Sequence, residues 1–143
     1  MLVRELKKSD LNQEFANLLN DLSHTNFNLE DFQNTFTLRQ DVNIATFVVE
    51  DNYGKIIGTA SIHFLYKFSH GCGTVAQIED VVIDSNYRQL HIGEMLINYL
   101  IRVCEDFCCY KIILQCYEPV QGFYEKLGFK KSGRNMRMDL LDA

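Results

Sequence analysis

The chain has 143 residues, nearly half of them apolar and 23% charged, with a net charge of −5. That length suits one domain around one core, taken over residues 1–143, and the apolar share excludes a disordered chain. The acidic balance argues against non-specific nucleic-acid binding, and no apolar run reaches the roughly 18–20 residues that span a bilayer.

The first eight residues, Met1-Leu2-Val3-Arg4-Glu5-Leu6-Lys7-Lys8, are too polar for a secretory signal, so a cytoplasmic protein is expected. Val3 to Leu6 predicts a short first strand. Asp10 with Gln13 resembles a capping box, and Phe15, Leu18, Leu19 and Leu22 follow at helical spacing. Asn28 with Asp31 predicts the start of a second, shorter helix containing Phe32 and Phe36. Ala45 to Glu50 is rich in β-formers, and Asp51-Asn52-Tyr53-Gly54 is a turn signal. A long strand is predicted over Ile56 to Phe68, broken by Gly71-Cys72-Gly73, with the next strand over Val75 to Ile83. From Ile92 to about Phe107 a helix is predicted from Ile92, Met95, Leu96, Tyr99, Leu100 and Val103. Lys111 to Cys116 reads as a fifth strand with Ile112, Ile113 and Leu114 buried. Pro119 opens a helix that Gly128 closes, the usual placing of the two residues. Met136, Met138 and Leu140 alternate with Arg137 and Asp139, which predicts a last strand over Asn135 to Leu141.

The resulting order is β-α-α-β-β-β-α-β-α-β. Three consecutive strands before βαβ-like units give an α/β or α+β class with a mixed sheet flanked by helices. Five cysteines, Cys72, Cys104, Cys108, Cys109 and Cys116, are an odd number without a Cys-x-x-Cys spacing. Zinc and dithiol redox sites are therefore poorly supported, no metal is expected, and the cysteines read mostly as small core residues.

The chemistry concentrates between Gln77 and Gly93. Glu79 and Asp80 lead the apolar run Val81-Val82-Ile83; Arg88 and Gly93 then precede a helix. A helix N-terminus offers N–H groups without internal partners, a natural seat for phosphate. The bland reading is an exposed turn. A carboxylate pair beside such a seat can take a proton, but neighbours in a regular strand point to opposite faces. Both act at one site only if the strand bulges there; otherwise one is a surface acid and the other a structural acceptor. In Phe123-Tyr124-Glu125-Lys126-Leu127-Gly128-Phe129, Tyr124 is either a phenolic proton donor or a half-buried amphipathic ring.

Strand, Arg-x-x-x-x-Gly, helix, strand, helix and Phe-Tyr-x-x-x-Gly-Phe together resemble the GNAT superfamily of acetyl-CoA-dependent N-acetyltransferases. Within it, Ile78-Glu79-Asp80-Val81-Val82, Cys109 to Leu114, Phe123 to Phe129 and Lys67-Phe68-Ser69-His70 resemble the glucosamine 6-phosphate N-acetyltransferase family. The resemblance implies acetyl-CoA as co-substrate and no metal. The backbone of Val81, Val82 and Ile83 would pair with the pantetheine arm, and a backbone N–H of that strand would polarise the acetyl carbonyl. The N–H groups of Gln89, Leu90, His91, Ile92, Gly93 and Glu94 would hold the pyrophosphate, with Arg88 opening the loop. Glu79 and Asp80 would orient the acceptor amine and relay its proton, and Tyr124 would serve the departing thiolate. Lys67, Phe68, Ser69, His70, Lys111 and Arg137 are the implied ligands of an amino-sugar phosphate.

The same resemblance implies a homodimer whose pocket the partner completes near the C-terminus, and a role in supplying UDP-N-acetylglucosamine synthesis. His91 stands where many members have glycine. The family's C-terminal arginine falls on Asp139, and Arg137, placed on the same strand face, is the substitute. Two other readings remain: a GNAT enzyme for another amine, such as a protein N-terminus or polyamine, and a non-catalytic acetyl-CoA sensor. The cation set speaks against a polyamine, and a sensor has no use for Glu79, Asp80 and Tyr124 together.

Overall fold

The computed structural model describes residues 1–141, so Asp142 and Ala143, within the expected 1–143 domain, lie outside the described residues. The elements are β1 (Leu2–Glu5), α1 (Gln13–Leu19), α2 (Leu29–Asp41), β2 (Ile44–Glu50), β3 (Ile56–Tyr66), the kinked single turn α3 (Ser69–Cys72), β4 (Thr74–Ile83), α4 (Ile92–Asp106), β5 (Lys111–Leu114) and α5 (Glu118–Lys126). The five strands form one sheet in the order β1-β2-β3-β4-β5. Neighbours are antiparallel except β4 and β5, which are parallel. The mixed sheet flanked by helices agrees with the expected class.

Local chemistry sets most boundaries. Asn28 caps α2 by accepting from the N–H of Asp31 at 3.0 Å, as its spacing predicts. At 13 residues α2 is nevertheless the longer of the first two helices. The start of α1 also differs from expectation. Asn12, not Asp10, caps it, accepting from the Phe15 N–H at 2.9 Å. Asp10 is held instead by Arg4, whose Nη1 and Nη2 donate to its two oxygens at 2.8 and 2.9 Å, while Arg4 Nε donates to Glu50 at 2.7 Å. This fork outcompetes the local box because both partners are charged and geometrically matched. It holds Asp10 well below the usual carboxylate range.

One face of the sheet packs on α4 and α5. Ile92, Leu96, Ile97, Leu100 and Cys104 of α4 are buried against Phe47, Ile57, Ile62 and Ile78. Each Leu or Ile buried there contributes about 1.5–3 kcal/mol. The other face meets α1 and α2 through a smaller cluster of Leu11, Phe15 and Val48.

Several expectations are corrected. Residues Asn135 to Leu141 form no strand; Met136 and Met138 are 91% and 83% exposed, because among the described residues no strand pairs with them. Ile113 is 40% exposed while its neighbours are half-buried, since β5 is an edge strand with one open side. β3 ends at Tyr66 and β5 at Leu114, earlier than expected. Among the cysteines only Cys104 is buried; Cys72, Cys108 and Cys116 are exposed.

Candidate active site

β4 changes character halfway along. Its pairing with β5 runs from Val75 opposite Lys111 to Ile78 opposite Leu114 and stops there. From Glu79 to Ile83 the strand is paired only with β3. On that side Ser61 stands opposite Glu79 and Thr59 opposite Val82, so Ala60 faces both Asp80 and Val81. The extra residue is a β-bulge, and Asp80 takes the left-handed φ of 54° that it requires. Aspartate tolerates that conformation better than most L-residues. A bulge of the kind two adjacent carboxylates would need to act at one site is therefore present at those residues. Asp80 is exposed and Glu79 half-buried.

The stretch Val81 to Ile83 presents main-chain groups on its open side while its side chains remain packed. Val82 is buried, and Val81 and Ile83 lean on the main core. Beyond β4, the turn at Ser85–Tyr87 is fixed by Asp84, which accepts from Asn86 N–H at 2.9 Å. Tyr87 Oη also donates to Asp51 at 3.2 Å. The loop that follows ends at His91, φ 59°, which caps α4 without a side-chain bond. Among the described residues, the N–H groups of Ile92, Gly93 and Glu94 donate to no protein acceptor, whereas Leu90 N–H is engaged by Tyr87 O at 3.2 Å. Arg88 does not point freely: it donates to Ile83 O at 3.1 Å and Asp21 at 3.0 Å. His91 Nδ1 sits 3.4 Å from Glu94. Gly93 has a packing reason, since a Cβ there would stand 3.3 Å from Phe123 of α5. An open strand edge leading to an unsatisfied helix start fits an extended, phosphate-bearing substrate.

Tyr124 is 8% exposed, edge-on to Phe123 and Phe129 at 5.0 and 5.8 Å. Burial, and secondarily nearby Cys116, pushes its phenol up, so it stays protonated. Its hydroxyl makes no hydrogen bond among the described residues. Cys116 lies just past the end of β5, so Tyr124 is placed where β5 leaves β4.

The implied phosphate ligands are partly assembled. Lys67, Phe68, Ser69 and His70 form the β3–β4 connection, and the His70 ring stacks on Tyr110 at 4.2 Å. Lys111 Nζ lies 5.7 Å from the centre of the same ring. Gly73 makes this possible: a Cβ would come within 2.6 Å of Tyr110. Arg137 is not brought to this cluster in the single chain. It pairs with Asp139 at 2.6 Å on the extended tail, not on a strand face. Sequence reasoning passed over the pocket between α1, α2 and the sheet. It encloses about 270 Å³ and includes Arg39, Thr46, Thr59, Ser61 and Asp80 in its lining. No local motif marks it, because its residues come from five separate elements, α1, α2, β2, β3 and β4.

A mixed sheet with a bulged, half-unpaired β4 running into an uncapped α4 defines the class, and residues 12–129 match the acetyltransferase (GNAT) family: the chain belongs to it. The relatives narrow the comparison. Glucosamine 6-phosphate N-acetyltransferase of Trypanosoma brucei brucei is 36% identical over 139 residues, covering 96% of this chain and 95% of the relative. The Arabidopsis thaliana protein of that name is 34% identical over 138 residues, covering 94% and 93%. The crystal structure of glucosamine-6-phosphate N-acetyltransferase from Arabidopsis thaliana superposes with a TM-score of 0.91 at 32% identity, covering 97% of each chain.

Proposed function

We propose that this chain transfers the acetyl group of acetyl-CoA to the amine of D-glucosamine 6-phosphate, giving N-acetyl-D-glucosamine 6-phosphate and CoA. The observation that carries this reading is the bulge at Asp80, where two carboxylates adjoin an open strand edge, in a chain matched nearly end to end by relatives bearing that activity's name.

Acetyl-CoA supplies the activated acyl group. The main chain of Val81, Val82 and Ile83 aligns its extended arm, and N–H groups from Gln89 to Glu94 hold its pyrophosphate, Leu90 N–H alone among them being already engaged, among the described residues, by Tyr87 O. A main-chain N–H of the open β4 segment polarises the acetyl carbonyl. The acceptor arrives as an ammonium and needs to lose a proton before attack. Glu79 and Asp80 orient it and carry that proton away. Tyr124, kept neutral by burial, donates to the departing sulfur. No covalent enzyme intermediate is required, which leaves the cysteines without a catalytic duty.

Lys67, Phe68, Ser69, His70 and Lys111 form the sugar-phosphate end of the site, and Arg137 joins them from the tail. The tail supports a homodimer with a shared site. Met136, Met138, Leu140 and Leu141 are all more than 80% exposed, an alternating apolar edge that a second copy can cover. The product's place is the supply of UDP-N-acetylglucosamine synthesis, in the cytoplasm. No described helix is long and apolar enough to cross a membrane.

The test is thiol release from acetyl-CoA with glucosamine 6-phosphate, glucosamine, spermidine and a short peptide as separate acceptors. Release confined to the phosphorylated sugar is expected. Release only with another amine discards the sugar and keeps the acetyltransferase. Tyr124→Phe is expected to lower kcat with little change in either Michaelis constant; unchanged turnover removes its assigned role.

A further inference from the structure

Arg39 occupies the last turn of α2, where a basic side chain ordinarily extends into water to meet the helix's terminal carbonyls. Here it turns to the sheet. Its Nη2 donates to Ser61 Oγ at 2.7 Å and to Thr46 Oγ1 at 3.1 Å, and those two hydroxyls are 3.1 Å apart. Ser61 is almost fully buried. Arg4, Arg88 and Arg137 each have a carboxylate partner; Arg39, Arg102 and Arg134 have no ion pair among the described residues, and of these three Arg39 alone is half-buried. A guanidinium cannot shed its proton, so a part-buried one without a counter-charge is costly unless something else satisfies it.

The guanidinium faces a pocket walled by Leu11, Phe15, Phe32 and Phe36, with the carboxylates of Asp31 and Asp80 in the same lining. The position along the strands matters. Ser61, which anchors Arg39, stands directly opposite Glu79 on β4, one strand spacing of about 5 Å away. Lys111 pairs with Val75, four residues back from Glu79, or about 13 Å at the usual strand rise. The pocket therefore has an acidic end at the bulge and a cationic end held by two hydroxyls beside it. A zwitterion, an amine with a nearby anion, complements both.

We propose that Arg39 is a specificity-determining residue that reads the negative charge of the acceptor from the α2 side of the pocket and disfavours polycationic amines. This rests on the amino-sugar phosphate reading above and adds a contact outside the β3–β4 connection. Its remaining N–H donors take an oxygen of the acceptor's anionic group, and Thr46 and Ser61 fix the fork in place before the acceptor arrives.

The test separates the charge from the chemistry. Glucose 6-phosphate carries the phosphate but no amine, so its binding to the CoA-saturated full chain by calorimetry reports the anion contact without turnover. Arg39→Gln is expected to weaken that binding roughly ten- to hundredfold, the range for losing a charge-assisted hydrogen bond, with CoA affinity unchanged. In turnover, the preference for glucosamine 6-phosphate over glucosamine shrinks by a similar factor, and Arg39→Lys restores part of it. Should Arg39→Gln fail to fold, Ser61→Ala unlatches the fork with a smaller change and is expected to weaken glucose 6-phosphate several-fold. Equal binding by wild type and the folded variant, or no binding of glucose 6-phosphate by wild type, overturns the proposal. Wild type that binds glucose 6-phosphate through Arg39 yet acetylates only a different amine keeps the anion contact and discards the assigned acceptor.

Discussion

On the α4 side of the sheet, Ile57, Ile62, Ile78, Leu96, Ile97 and Leu100 are sealed from water. On the α1–α2 side the buried cluster has three members, Leu11, Phe15 and Val48, and a pocket of about 270 Å³ stays open beside them. The closed side supplies most of the apolar burial that holds the fold together. The open side can therefore hold a charged side chain, a bulge and a left-handed aspartate without losing the architecture. The burial that holds the fold is concentrated on one surface of the sheet, and the open pocket with its charged lining lies on the other.

The sharpest way to probe this division is to remove charge from the open side alone. Glu79→Gln combined with Asp80→Asn is expected to lower kcat by about 10²–10⁴, the span for a general base, with the thermal midpoint nearly unchanged. Asparagine is the right replacement at position 80, because it accepts the left-handed backbone and leaves the bulge intact. A large drop in midpoint would show that the carboxylates support the fold and not the reaction.

The next effect in size lies on the closed side. Leu100→Ala is expected to cost about 2–5 kcal/mol in urea unfolding. Leu19→Ala, on the pocket wall, is expected to cost less, because the groove already admits solvent. Equal costs would erase the contrast between the two surfaces.

The smallest expected effect concerns the anchor that ties β1 to the start of the open side. Asp10 carries a depressed folded-state pKa because the Arg4 fork favours its ionised form. Its contribution is present above the ordinary carboxylate value of about 4 and is lost as pH falls through the lower folded-state value. Asp10→Asn is expected to cost about 1–3 kcal/mol at neutral pH and to flatten the acid limb of a stability–pH profile. An unaltered acid limb would mean the fork adds nothing.

Local signals in the sequence carried much of this organisation. Asn28 with Asp31, the apolar stripe from Ile92 and the Pro119–Gly128 bracket each depend on a few neighbouring residues, and each lies where it was expected. The bulge was legible for a different reason: two adjacent carboxylates cannot share a site on a regular strand. What escaped depends on distant partners. Asp10 has the composition of a helix cap but is captured by Arg4. The alternation at Met136 to Leu140 is that of a strand, yet among the described residues no strand pairs with it. Arg39 looks like an ordinary helix-end cation, and only the packing of α2 on the sheet brings it to Ser61.

The half-unpaired β4 has a consequence for the protein's solution behaviour. A row of free main-chain groups is a template on which another chain can add a strand, the first step of aggregation. Here the unpaired edge is five residues long, begins with two acids, is kinked by the extra residue at Asp80 and ends at Ile83, whose carbonyl is already taken by Arg88. Shortness, like-charge repulsion and a broken register each make that edge a poor partner for a second polypeptide. The distortion that exposes Asp80 thus also makes the edge a poor template, and straightening β4 by deleting one residue would be expected to make the protein less soluble as well as less active.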